Sequence, residues 1–376
     1  MDLKKTGNQG LKIMILTTGL AYGGAEMQLV KLAINLKKRG HEILVVSMLQ
    51  PKEFVEELSK NHIDTLNLGM QAGVPNPKAI LRLARYMRKY RPQILHSHMV
   101  HANLLGRIVR MFAPVQVQIS TIHSINEGGR VREYLYRITN GLSTVTTIIS
   151  EIAAKKYIDK KIVPKRKLKY IPNGIEIDSF RRDITIGKAK RIELGISNQF
   201  VWLAVGRVES EKDYPNLIMA FNELIKSNRN CVLVIVGEGS KLDEIKELAI
   251  ELGVDEKIKF LGKRSDIKDL MSMSDSFVLS SIYEGLPMVL LEASVCELPL
   301  IATDVGGNRE VINDGENGYL VSKSNPMELA EKMLQIMNLG VEERLNMGNK
   351  ARKYVEEKYR IEKVLDEWEK LYYENI

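Results

Sequence analysis

Residues 280–311 read SSIYEGLPMVLLEASVCELPLIATDVGGNREV. Just before them, DSFVL at 275–279 is a short apolar strand. Gly285-Leu286-Pro287 then opens a run that predicts a helix over 287–296, because a proline suits a first helical turn, where its missing N–H would have had no partner. Glu284 falls on the strand-to-helix turn, beside the N–H groups of Met288, Val289 and Leu290. That end of a helix carries partial positive charge and suits a phosphate. Glu292 lies about one and a half turns further in. LPLIA at 298–302 predicts a second buried strand, running into Asp304-Val305-Gly306-Gly307 and a short helix at Arg309. The stretch is a βαβ unit with phosphate-binding features and two placed carboxylates. Glutamates also occupy early helical turns merely to complement the dipole, so for Glu292 taken alone a structural reading stands beside the functional one.

The same alternation runs through the whole chain. KIMILT at 12–17 is continuously apolar, as in a strand buried on both faces of a parallel sheet. It ends in a glycine-rich turn, Gly19 to Gly24, before a helix over 25–39 stopped by Gly40. Glycines there let the backbone approach a ligand closely, although a ligand-free tight turn uses them equally well. Further strands are predicted over 42–48, 63–68, 93–96, 116–122 and 144–150, with a basic helix over 77–91. The second half starts afresh with FVWLAV at 200–205, closed by Gly206-Arg207. CVLVIV at 231–236 is closed by Gly237, and 257–261 by Gly262. Strands alternating with helices, each closed by glycine, predict two doubly wound α/β domains. The 376 residues suit two domains at about 100–200 residues each, with the boundary placed near residue 180: 1–180 and 181–360. His123 closes the strand at 116–122, a position that points into the ligand crevice of such sheets, where a structural histidine fits as well. His96, His98 and His101 have no cysteine or acidic ligand beside them, and no metal site is expected.

The spelling E-G-x-P-x-x-x-x-E-A at Glu284–Ala293, GGAE at Gly23–Glu26, RGH at Arg39–His41, IPNG at Ile171–Gly174 and G-R-x-x-x-x-K at Gly206–Lys212 together resemble the retaining glycosyltransferases of family 4. Within that family, HSHMVHAN at 96–103 with IHSINEGG at 122–129 resembles bacterial enzymes of capsule, exopolysaccharide and lipopolysaccharide assembly. The resemblance implies the GT-B fold: two Rossmann-like domains facing across a cleft, an N-terminal acceptor domain and a C-terminal donor domain, with a C-terminal helix (361–376) crossing back to the first. It implies transfer from a nucleotide-diphosphate sugar, UDP-linked, with retention by front-face attack. Arg207 and Lys212 would stabilise the leaving diphosphate, whose charge grows as the glycosidic bond breaks. Glu284 would hold donor-sugar hydroxyls, and Glu292 both ribose hydroxyls. His123 would contact the donor sugar. Gly23, Gly24, Gly237, Gly285, Leu286, Pro287 and Met288 would complete the donor site. The sequence contains no D-x-D, so neither a metal nor another cofactor is expected. Rival readings are a GT-B sugar-nucleotide epimerase or hydrolase, which would lack the E-x7-E spelling, and a non-catalytic nucleotide-sugar-binding protein, which would be free to lose these residues.

Charge is divided unevenly. The chain carries +8 overall, but residues 1–180 hold 28 Lys and Arg against 13 Asp and Glu, a balance of +15, leaving −7 for the rest. A basic half of this kind suits an anionic partner. Its aromatics are not interleaved with the bases in any nucleic-acid-binding motif, so nucleic acid is not expected. An anionic membrane surface is, with a glycan or polyprenyl-diphosphate-linked acceptor. The two cysteines, Cys231 and Cys296, lie in apolar runs and read as buried thiols of a reducing compartment. MDLKKTGNQG is polar, and no apolar run approaches the ~18 residues of a membrane span. The expected place is the cytoplasm, peripheral on the inner face of the plasma membrane.

Overall fold

A computed structural model describes residues 10–21, 23–74, 76–125 and 128–376. The chain forms two compact units: one of residues up to Gly174 together with Glu362–Ile376, the other Ile175–Ile361. The sequence put the boundary near 180; the contacts divide at Gly174.

The first unit is a seven-stranded sheet of β1 (Lys12–Thr17), β2 (Glu42–Leu49), β3 (Asp64–Met70), β4 (Ile94–His98), β5 (Val117–Ile122), β6 (Val145–Ile148) and β7 (Leu168–Tyr170), in the order 3-2-1-4-5-6-7. All neighbours are parallel. The second is a six-stranded parallel sheet of β8 (Phe200–Val205), β9 (Cys231–Val236), β10 (Ile258–Phe260), β11 (Ser276–Leu279), β12 (Leu300–Thr303) and β13 (Gly318–Val321), in the order 10-9-8-11-12-13. Both orders reverse beside the first strand, at β1/β4 and β8/β11. In such sheets ligands bind outside the carboxyl ends of the strands at that reversal.

The apolar runs became strands because both faces are covered by helices. Met14, Leu16, Val46 and Leu95 pack with Leu83 and Met87 of the helix Lys78–Tyr90. Trp202, Leu233 and Ile235 pack with Leu217 and Phe221 of the helix Tyr214–Ser227. The strand that the sequence ended at His96 runs on to His98, so both histidines lie inside the sheet and are buried.

The last helix, Ile361–Asn375, delivers residues 362–375 to the first unit. Trp368 and Tyr372 are buried there; the Trp368 ring lies 4.6 Å from that of His96, and Tyr372 Oη is 2.9 Å from His96 Nδ1. Arg39 bonds Asp366 at 2.7 Å and Glu369 at 2.5 Å. His41 Nδ1 accepts the Leu11 N–H at 3.1 Å, so its other nitrogen donates to Glu369 at 2.8 Å.

His96 and His98, both buried, form one group with the part-buried His123. His96 Nε2 is 2.7 Å from Thr121 Oγ1, and His98 Nδ1 is 2.9 Å from His123 Nε2. Burial holds the pKa of His96 down to about 3 and that of His123 to about 4, and that of His98 well below its ordinary value. All three are neutral at pH 7. Unfolding restores a pKa near ~6.5, so below that pH the unfolded chain binds more protons and stability falls as pH falls. Each such histidine contributes a slope of about 1.4 kcal/mol per pH unit. Unfolding midpoints should therefore drop steeply from pH 6.5 to 5, while the imidazole NMR shifts of these residues stay constant. Titration of the folded-state shifts near pH 6.5 would refute this.

Candidate functional site

The second unit gathers its polar side chains at the β8/β11 reversal. Gly206 and Arg207 follow β8, and a short 3-10 turn, Ser210–Lys212, leads to Asp213, whose φ of 48° starts the next helix. Ser280–Glu284 follow β11. The two loops are joined by backbone and side chain: the Ile282 N–H donates to the Glu211 carbonyl at 2.9 Å, and Ser280 Oγ to the Lys212 carbonyl at 2.8 Å. Across this junction Lys212 Nζ lies 2.5 Å from Glu284 Oε1, which also accepts from Ser281 Oγ at 2.6 Å. Their side chains are only 17% and 12% exposed. A charge pair this sheltered is worth more than a surface pair, and removing either member leaves the other poorly compensated.

Glycine makes the approach of the neighbouring loops possible. A Cβ on Gly306, which has φ 47°, would lie 2.0 Å from the Glu284 carbonyl oxygen, and one on Gly307 would lie 1.9 Å from that of Gly285. The turn after β12 therefore rests directly on the Glu284–Gly285 backbone. Gly237, with φ 141°, passes Gly206 in the same manner, its Cβ position 1.9 Å from the Gly206 oxygen. Tyr214 Oη donates to that same carbonyl at 3.1 Å, and burial with Glu284 nearby pushes its hydroxyl pKa well up.

The helix over Met288–Val295 begins one residue later than the sequence suggested, with Pro287 as its cap. The Leu290 N–H is not open to a ligand, because it donates to the Pro287 carbonyl at 3.2 Å. Those of Met288 and Val289 have no backbone partner among the described residues. Glu292 is 5% exposed on this helix. Arg207 is 68% exposed and pairs with Glu211 at 2.9 Å. The structure thus brings Lys212 and Glu284 into direct contact, places Gly285, Leu286, Pro287 and Met288 beside them in the chain, and sets Arg207 at the exposed rim.

The remaining candidates belong to the first unit. Gly23 caps the helix Gly24–Lys38 with an extended φ of −165°, and Gly24 opens it. His123 stands at the end of β5, held by His98. Sequence reasoning had missed Ser281 as the second partner of Glu284, Tyr214 at Gly206, and His98 as the partner of His123. The Ser280-Ser281 pair at a strand end was the one visible signal. Among the described residues no group of three His, Cys, Asp or Glu is arranged to hold a metal ion, and both cysteines are free and buried.

Residues 22–179 match the model of "Glycosyltransferase Family 4" and residues 188–354 that of "Glycosyl transferases group 1". The chain is 27% identical to N-acetyl-alpha-D-glucosaminyl L-malate synthase of Bacillus anthracis over 366 residues, 94% of each chain. It is 26% identical, over 81% of each chain, to UDP-Gal:alpha-D-GlcNAc-diphosphoundecaprenol alpha-1,3-galactosyltransferase of Escherichia coli. In fold it resembles Anabaena Alr3699/HepE, solved in complex with UDP and glucose, with a TM-score of 0.87 over 96% of this chain and 99% of that one at 20% identity. The chain is a glycosyltransferase with the GT-B fold and belongs to family 4, the glycosyl transferases group 1.

Proposed function

We propose that this enzyme moves a sugar from a UDP-sugar to a glycan or polyprenyl-diphosphate-linked acceptor in cell-surface polysaccharide synthesis, with retention and without a divalent metal. The observation that carries the reading is the sheltered Lys212–Glu284 pair at the β8/β11 reversal. A diphosphate arriving there replaces Glu284 as the partner of Lys212, because two phosphates offer more charge and more acceptors than one carboxylate. Glu284, released, accepts from hydroxyls of the donor sugar. Arg207 closes on the diphosphate from the rim, and the N–H groups of Met288 and Val289 face it from the helix start. Glu292 takes both ribose hydroxyls through its two oxygens. His123, neutral by burial, meets the sugar as a hydrogen-bonding group, not as a cation.

The chemistry follows from charge. As the bond from the anomeric carbon to the phosphate oxygen breaks, its electron pair passes to the diphosphate. Lys212 and Arg207 stabilise that charge more in the transition state than in the ground state. The acceptor oxygen bonds the same face of the anomeric carbon, and its proton goes to the departing phosphate. The two cations supply the charge neutralisation that other glycosyltransferases draw from a chelated metal. The names of the relatives support the donor class: the Escherichia coli protein is named for UDP-Gal and a diphosphoundecaprenol acceptor, and the Anabaena structure contains UDP.

The basic first unit would rest on anionic lipid at the inner face of the plasma membrane. Lys155, Lys160, Lys161, Lys165, Arg166 and Lys169 are exposed. Lys167 is not available for this, because it donates to the carbonyls of Asn140 and Ser143 at 2.7 and 2.6 Å. No helix among the described residues is long and apolar enough to cross a membrane. Each basic residue near an anionic leaflet adds about 1 kcal/mol, fading within a Debye length.

Three outcomes are expected. Lys212→Ala lowers turnover by about 10²-fold or more through lost leaving-group stabilisation, whereas Glu292→Gln chiefly weakens nucleotide binding, by about 1–3 kcal/mol. Steady-state kinetics with calorimetry separates the two, and wild-type turnover in the lysine variant would remove its assigned role. Turnover persists in excess EDTA; complete loss restored by manganese would overturn the metal-free scheme. The protein co-sediments with phosphatidylglycerol liposomes at low salt, is released by 0.5 M salt as screening shortens to a few Å, and loses binding when Lys160, Lys161, Lys165 and Arg166 become glutamine. Protein left in the supernatant at low salt would refute the membrane reading.

A further inference from the structure

The first unit has a cavity at the end of its sheet opposite to the one where ligands of such folds bind. Lys12, Glu42 and Asp64 are the first residues of β1, β2 and β3, and all three line it. The usual crevice lies outside the carboxyl ends of the strands; this cavity lies at their amino ends. Its volume is about 560 Å³, within the roughly 300–1,000 Å³ of small-molecule sites. The end of the helix Lys78–Tyr90 supplies Tyr86, Lys89 and Tyr90 to the wall, and Lys37 comes from the helix Gly24–Lys38.

The wall holds polar groups that the fold leaves idle. The hydroxyl oxygens of Tyr90 and Thr65 are buried and have no hydrogen-bond partner among the described residues. A buried hydroxyl left in that state costs stability. Burial, with Glu42 and Asp64 nearby, pushes the Tyr90 hydroxyl pKa well up, so it stays protonated and able to donate.

Charge decides what such a cavity can take. Lys12 answers Glu42 at 3.2 Å and lies 5.7 Å from the centre of the Tyr90 ring. Asp64 shares the lining with Lys37 and Lys89. An anion entering would meet two carboxylates, an ammonium would meet three lysines, and an aliphatic chain would strip water from all five. A polyol suits every member, because each of its hydroxyls both donates and accepts and so bonds carboxylates, amines and hydroxyls alike. Tyr86 and Tyr90 add aromatic surface for the C–H groups of a sugar ring.

We infer that this cavity is a second saccharide site, which binds a neutral oligosaccharide apart from the groups that carry out transfer. The inference goes beyond the transfer reading and does not rest on it.

The test uses the full chain with saturating UDP and three neutral probes, maltotetraose, cellotetraose and chitotetraose, followed by saturation-transfer NMR. At least one should bind with a Kd of about 1 mM or below, and at least fivefold more tightly than inorganic phosphate or putrescine. Tyr90→Phe keeps the ring and removes the idle hydroxyl; it should weaken that probe at least fivefold without lowering the Tm of the free protein or the affinity for UDP. Lys89→Trp, at an exposed position, narrows the cavity without touching the core and should weaken the probe to the same degree. Binding by none of the three probes, equal binding of phosphate or putrescine, or undiminished binding in both variants would each overturn the site. A signal that UDP abolishes would place the sugar in the donor crevice and overturn it as well. Failure of UDP itself to bind, with the probe still held and still sensitive to Tyr90→Phe, would instead sink the donor reading and leave this site standing.

Discussion

The second unit turns on one sheltered ion pair. Lys212 Nζ and Glu284 Oε1 meet at 2.5 Å between two loops that leave neighbouring strands at the point where the strand order reverses. Neither loop alone forms a site. The bond from the Ile282 N–H to the Glu211 carbonyl and that from Ser280 Oγ to the Lys212 carbonyl hold them edge to edge. Gly306 and Gly307 then let a third loop lie on the backbone of the second. Any side chain at either glycine would collide with the Glu284–Gly285 backbone. The electrostatics of the site therefore depend on backbone packing, and the packing depends on glycine.

The first unit is organised differently. Its three linked histidines are neutral, with depressed pKa values, and His96 bonds Thr121 and Tyr372 of the last helix. Among its described residues one arginine, Arg107, is fully buried; it donates to Ser120, Thr146, Thr139 and the Tyr136 carbonyl and stacks 4.6 Å from the Tyr136 ring.

Much of this was legible in the sequence, and the limits have physical causes. Long apolar runs such as KIMILT and CVLVIV announced buried parallel strands, because a strand covered on both faces has no polar alternation to disguise it. The short strands Leu168–Tyr170 and Gly318–Val321 escaped notice, being three and four residues long and lying at sheet edges. The identities of Lys212, Glu284 and Glu292 stood out by spelling. Their arrangement did not: Lys212 and Glu284 are separated by 72 positions, and only the strand order brings them together. The helix after Glu284 was placed correctly to within one residue, but the bond that occupies the Leu290 N–H depends on the ψ of 112° at Pro287, which spacing does not reveal. The pairing of His98 with His123 was hidden for the same reason, since β4 runs two residues further than its apolar content suggests.

The most direct measurement is a crystal structure of the enzyme with UDP, read at the Lys212–Glu284 pair. Partner exchange predicts Lys212 Nζ within about 3 Å of a β-phosphate oxygen, with the Glu284 carboxylate parted from it and the ribose hydroxyls on Glu292. A UDP bound with Lys212 still on Glu284, and no phosphate contact from either Lys212 or Arg207, would contradict the account.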